Sequence, residues 1–158
     1  LTQMWWSNVD TMGICGRAVQ LCNEWKVDVL KVDPIGIGAG VTSRLKELNG
    51  EGIIKADVYG VNVAEKSNDP FKFENKRDEI FYGLADRFRD NEIDLSAIQD
   101  SEELFSQLVS IKKDKPTSKG QLKVAKKDHS NSPDRADSLA LAFATVTDEN
   151  IGVYIDQN

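Results

Sequence analysis

Two stretches about a hundred residues apart hold the side chains with the clearest capacity for chemistry. In the first, Asp33 ends the β-branched run Val27–Asp33, and Pro34 stops that run; the pattern predicts a buried strand with an acid at its C-terminal tip. In the second, Ser132-Pro-Asp-Arg-Ala-Asp137 opens an apolar helix, and acids three residues apart share one helical face. Asp137 lies on a stripe with Ala140, Leu141 and Ala144. An ionised carboxylate in such surroundings is costly unless a cation or hydrogen-bond donors meet it. Acids supplied by a strand tip and a helix start suit a divalent cation, which takes oxygen ligands, and a pair of such ions can activate water against a phosphodiester. Gly36, Gly38 and Gly40 follow Asp33 closely and would let backbone N–H groups approach an anion.

Each feature also has a plainer account. Asp33-Pro34 suits an Asx turn. With Ser132 as N-cap and Pro133 at the first helical position, Asp134 falls in the first turn, where the helix dipole favours an acid. Asp137, placed past that turn, would be satisfied by a buried ion pair with Arg135 or a lysine. The glycines, with Asp57 about 20 residues further on at the end of the next strand, also suggest a dinucleotide loop, but that fingerprint needs glycine where Val41 stands.

The elements that must position these residues follow from periodicity. A helix is expected over Thr11–Trp25, capped by Asp10 or Thr11, and a strand over Val27–Asp33. A helix from Val41 to Leu48, closed by Asn49-Gly50, and a strand from Ile53 to Val58 complete a βαβ unit with parallel strands. Tyr59–Phe73 reads as a long loop, of the kind that is often functional. Glu74–Arg89 is an amphipathic helix with Ile80, Phe81, Leu84 and Phe88 on one face. A shorter helix spans Ser101–Val109, a hairpin spans Ile111–Lys126 around Pro116–Gly120, and a last helix runs from Pro133 to Val146. Residues from Asn150 onward form a tail with a short strand at Gly152–Ile155.

The chain has 158 residues, which suits a single domain, and it carries a net charge of −6. That charge by itself argues against a nucleic-acid binder, but its distribution does not. Lys112, Lys113, Lys115, Lys119, Lys123, Lys126 and Lys127 face one acid, Asp114, in a single segment. Such a segment is either a solvated hairpin or a surface for a phosphate backbone. No apolar run reaches the roughly 20 residues of a membrane span. Cys15 and Cys22 share a helix face too far apart for a disulfide, and with His129 the lone histidine no zinc site is expected; both read as buried thiols of a reducing compartment.

The ordered set Val32-Asp33-x-x-Gly36-x-Gly38-x-Gly40-Val41, Asn75-Lys-Arg77-Asp-Glu79, the lysine segment and Ser132-Pro-Asp-Arg-Ala-Asp137 resembles the nuclease domain of bacteriophage terminase large subunits over roughly residues 27–147. The resemblance implies an α/β fold of RNase H-like type, a mixed sheet flanked by helices, here N-terminally incomplete. Residues 1–26 would be the remnant of a third strand and first helix, 27–147 the core and 148–158 a tail. It implies a Mg2+- or Mn2+-dependent endonuclease acting on double-stranded concatemeric DNA. Asp33 and Asp137 would be catalytic metal ligands and Asp134 an auxiliary one. Gly36, Gly38 and Gly40 would form the loop beside Asp33, and Lys112, Lys113, Lys119, Lys123, Lys126 and Lys127 would contact DNA. Implied partners are the ATPase domain of a longer protein, the portal and the small terminase subunit, in the cytoplasm of a bacterial host. No GxxxxGK[ST] motif occurs, so the motor itself is not expected in this chain. Without a first strand, the edge at Val29–Asp33 would be open to self-association. Two alternatives stay open: a catalytically inactive DNA- or protein-binding remnant of that domain, and a nucleotide-binding α/β domain.

Overall fold

The computed structural model describes residues 8–98, 101–126 and 132–146. They fall into two compact units, one drawn from residues 8–62 with 145–146 and the other from residues 63–144. Among the described residues there are five helices and one two-stranded parallel sheet.

The first unit begins with α1 (Thr11–Trp25). Its cap is Asp10, whose carboxylate accepts from the Gly13 N–H at 2.7 Å, and Lys26 closes it in the left-handed conformation with its N–H on the Cys22 carbonyl. β1 (Val29–Val32) and β2 (Asp57–Gly60) run parallel, with Val29 opposite Asp57 and Val32 opposite Gly60. α2 (Gly38–Gly50) joins them and packs on α1 and both strands. The expected βαβ unit is therefore present, but its boundaries move, and β1, expected as a buried strand over Val27–Asp33, covers only Val29–Val32, with Val29 exposed and the rest half-buried.

β2 starts at Asp57, not Ile53. The Asn49 carboxamide at the end of α2 donates to the carbonyls of Ile54 and Ala56 at 3.3 and 2.9 Å. Those acceptors are thus satisfied by a side chain before the ladder begins. α2 in turn starts three residues earlier than expected and absorbs Gly38 and Gly40. Only Gly36 remains in the turn, at φ +64, a conformation that favours glycine. A Cβ on Gly38 would sit 1.9 Å from the Asp33 carbonyl oxygen, so that glycine is required by the close passage of the chain over itself.

The core of this unit joins Cys15 and Cys22 of α1 to Val41 and Leu45 of α2 and to Ile54, Ala56 and Val58. Both cysteines are free and buried, as the helical spacing implied.

The second unit holds α3 (Lys76–Arg89), α4 (Ser101–Ser110) and α5 (Asp134–Ala142). α5 packs against both α3 and α4, around Ile80, Phe81, Leu84, Leu104, Ala136, Leu139 and Ala140, all buried. The hairpin is present in outline: Asp114 N–H meets the Lys123 carbonyl at 2.9 Å, Ala125 N–H meets the Lys112 carbonyl at 2.8 Å, and Lys113 pairs antiparallel with Val124. Residues 1–7, Lys127, His129 and the expected tail strand lie outside the described residues.

Burial pushes the thiols of Cys15 and Cys22 above their ordinary pKa. Ellman's reagent at pH 8 is expected to leave both unmodified in the folded chain and to titrate two thiols after denaturation in guanidinium; immediate reaction of either in the native state would contradict the packing of α1 on α2.

Candidate functional site

Asp33 follows β1 directly and is exposed. Its Oδ1 accepts the Ile35 N–H at 3.1 Å, so the Asx turn allowed by Asp33-Pro34 forms, and it spends one carboxylate oxygen on the turn. A groove of about 870 Å3 runs beside it in the same unit, lined in part by Pro34, Thr42, Ser43, Lys46, Asp57 and Tyr59. Asp57 opens β2 instead of closing it, and two of the three glycines are helical. The place of Asp57 removes the strand-end acid on which the dinucleotide reading rested.

Asp134 and Asp137 belong to the other unit, at the start of α5. The helix differs from expectation at both ends. Pro133 occupies the cap position, with no side-chain cap bond, and Ser132 turns its hydroxyl onto the Asp134 Oδ1 at 2.5 Å instead of capping. The cap is supplied from α4: Gln107 Oε1 accepts the Arg135 and Ala136 N–H groups at 2.8 and 3.1 Å. Gln107 is buried, and its Nε2 donates to Glu103 Oε1 at 3.2 Å. With the helix beginning at Asp134, Asp137 sits in its first turn, not past it, and its own N–H bonds the Pro133 carbonyl at 2.8 Å. Asp134 is exposed and Asp137 half-buried. The guanidinium of Arg135 pairs with Glu103 at 3.0 Å. At its far end α5 stops at Ala142, short of the expected Val146.

The acids described do not amount to a metal site on their own. Among the described residues no group of three or more His, Cys, Asp or Glu side chains is placed to hold a metal ion.

The motif Asn75-Lys-Arg77-Asp-Glu79 carries a denser network than its sequence suggests. Asn75 caps α3 through the Asp78 N–H at 2.9 Å. The next two N–H groups, Lys76 and Arg77, donate to the carbonyls of Glu65 and Val63 at 2.8 and 2.9 Å. The orphan donors of the first turn thereby tie down the preceding loop. Lys76 and Glu79 form an ion pair at 3.0 Å that is almost wholly removed from solvent, and Glu79 Oε2 also accepts the Asn68 N–H at 2.6 Å.

The same turn grips the lysine segment. Asp78, 1% exposed, accepts the Val124 N–H at 2.8 Å through Oδ1. Arg77 Nη1 donates to the Ala125 carbonyl at 3.1 Å, and Lys123 pairs with Glu74 at 2.7 Å. Three consecutive residues, Lys123 to Ala125, are thus held by three side chains: Glu74, just ahead of the α3 cap, and Arg77 and Asp78 in the first turn. Lys112, Lys113, Lys119 and Lys126 are exposed, while Lys123 is half-buried in its ion pair. Lys112 Nζ donates to the Val109 carbonyl at 2.8 Å, and Lys113 Nζ stands 5.5 Å over the Tyr82 ring. Sequence reasoning singled out the motif but not the roles of Asp78 and Gln107; a single Gln or Asp in an amphipathic helix carries no sign that its partner is a backbone amide elsewhere in the chain.

The described residues form an α/β architecture of five helices and a two-stranded parallel sheet. The chain has the fold of the nuclease domain of the large terminase subunit gp2 of bacterial virus Sf6, solved as a mutant with manganese and beta-thujaplicinol. The likeness has a TM-score of 0.66 at 23% identity and covers 87% of this chain and 73% of that one. No protein-family profile and no curated protein sequence matches the chain.

Replacing Gln107 with Leu removes the shared acceptor at the start of α5 and is expected to lower the unfolding free energy by about 1–2 kcal/mol in urea denaturation; an unchanged midpoint would show that solvent caps the helix equally well. The hydrogen bond that Lys123 donates to the Glu74 carboxylate raises the Lys123 pKa, against a smaller opposing effect of burial. Because the folded value lies above the unfolded one, this contribution is complete below the ordinary lysine pKa and is lost as pH rises through the folded value. Glu74→Gln is expected to bring the Lys123 titration, followed by NMR, back to that of an ordinary lysine.

Proposed function

We propose that this chain is a metal-dependent endonuclease domain of the phage terminase type, hydrolysing phosphodiester bonds of double-stranded DNA with Mg2+ or Mn2+. The fold shared with the Sf6 gp2 nuclease domain carries this reading. Asp33 and Asp137 are its catalytic acids, with Asp134 as auxiliary ligand. Both Asp33 and Asp134 keep a carboxylate oxygen outside the local bonds at Ile35 and Ser132, which leaves acceptor capacity for a cation or a water. The turn at Gly36 and the helical Gly38 against the Asp33 carbonyl bring backbone close to that acid. The lysine segment orients the DNA through phosphate contacts from Lys112, Lys113, Lys119, Lys123, Lys126 and Lys127. Glu74, Arg77 and Asp78 keep that segment on α3, so that its charges are presented from a fixed backbone. In the longer protein to which such a domain belongs, an ATPase domain, the portal and the small terminase subunit would be its partners in the host cytoplasm. A fold of RNase H type, completed by strands beyond the two described here, belongs to this reading.

Supercoiled plasmid incubated with the chain and Mn2+ or Mg2+ is expected to be nicked, and the nicking is expected to vanish with EDTA, with Asp33→Asn and with Asp137→Asn. DNA binding without nicking at either metal would instead identify an inactive DNA-binding remnant of the domain. Nicking that survives both substitutions would remove these acids from the site.

A further inference from the structure

Phe71 is 93% exposed, more than any other large apolar side chain among the described residues. Full exposure of a phenyl ring is unfavourable in water, and here it does not come from a slack loop. The Asp69 Oδ1 accepts the N–H groups of Phe71 and Lys72, each at 3.2 Å. The Asp69 carbonyl accepts those of Lys72 and Phe73 at 3.1 and 3.0 Å. Gln121 Nε2 donates to the Pro70 carbonyl at 2.7 Å, and Leu122 N–H donates to the Lys72 carbonyl at 2.7 Å. Two residues on, Phe73 is buried, with its ring centroid 5.7 Å from that of Tyr82 and the buried Ser67 hydroxyl on its carbonyl at 3.1 Å. The chain at Phe71 is therefore pinned on both sides while its ring is turned outward.

The pinning partner is the lysine segment itself. Gln121 and Leu122 lie between Lys119 and Lys123, and Lys72, next to Phe71, is exposed. An exposed aromatic ring on an ordered turn that is hydrogen-bonded to a lysine-bearing segment has the character of a nucleobase platform: the lysines take phosphates, and the ring takes the face of a base. Because the turn is already ordered, little conformational freedom is lost when the ring is covered. A fully paired duplex shields its base faces, so the contact needs an unpaired base or an opened step.

We propose that Phe71 is a substrate contact that stacks on an unpaired or unstacked base of DNA held by the lysine segment, giving the chain a preference for DNA with single-stranded character. This rests on the DNA reading given above. The test is fluorescence anisotropy in EDTA, with a labelled single-stranded oligonucleotide and the matching duplex, over a range of salt concentrations. The full chain, Phe71→Ala, Phe71→Tyr and Lys119→Ala are compared.

Phe71→Ala is expected to weaken single-strand binding about tenfold with little change for the duplex, and Phe71→Tyr to restore it. The salt slope should be unchanged in both, since stacking releases no counterions, whereas Lys119→Ala should lower it. Exposed as it is, Phe71 should be replaceable without moving the melting temperature. Salt-dependent, lysine-dependent binding that Phe71→Ala leaves intact would overturn the stacking role alone. So would a Phe71→Ala effect on self-association without one on DNA affinity, since the ring would then be a protein contact. Absence of DNA binding by the unmodified chain would overturn the DNA reading and the stacking role together.

Discussion

The second unit depends on one buried carboxylate. Among its described residues there is no extended sheet, yet a lysine-bearing segment must lie in register along α3. Asp78 makes this possible by accepting the Val124 N–H from a position almost closed to solvent. A buried backbone donor left bare costs about 1–3 kcal/mol, against the roughly 0.5–1.5 kcal/mol that an ordinary hydrogen bond contributes. The segment is consequently committed to one register on α3. The second oxygen of Asp78 has no hydrogen-bond partner among the described residues. The neighbours reinforce it without repeating it: Arg77 takes the next carbonyl and Glu74 the preceding lysine.

The same device recurs elsewhere, and it sets where elements begin and end. Gln107 reaches from α4 to the first amides of α5, which moves the helix start to Asp134 and draws Asp137 into the first turn. Asn49 reaches from α2 to two carbonyls ahead of β2 and delays the strand to Asp57. In each case a polar side chain satisfies backbone that regular structure leaves unpaired. The acids at the start of α5 are thus positioned by a neutral amide, Gln107, that lies well outside the motif naming them. Fold and function meet at that point, because a carboxylate's capacity to serve a cation depends on which of its oxygens the local turn has already used.

Several features of the chain were legible in its residues. Hydrophobic spacing marked α1 and α3 with little error, Asp10 announced a cap, and the alternation of strand, helix and strand predicted parallel pairing. Cys15 and Cys22 were readable as buried thiols because their interval keeps both on one helical face. The lysine segment and the hairpin turn around Pro116–Gly120 followed from local composition. These are local properties, set by periodicity and turn chemistry, and local sequence is sufficient for them.

Tertiary structure decided the rest. The sequence offered Gly36, Gly38 and Gly40 as one loop, but only packing separates a left-handed turn at Gly36 from a helical Gly38 lying against the Asp33 carbonyl. It offered Ser132 as a cap, and only the arrival of Gln107 from another helix makes that cap redundant. It placed Phe71 and Phe73 in one unremarkable loop, whereas the fold buries one against Tyr82 and leaves the other exposed. Periodicity and capping signals are written within a few residues of where they act. Which distant amide, carbonyl or ring arrives beside them is settled only when the chain has closed on itself, and no local pattern records it.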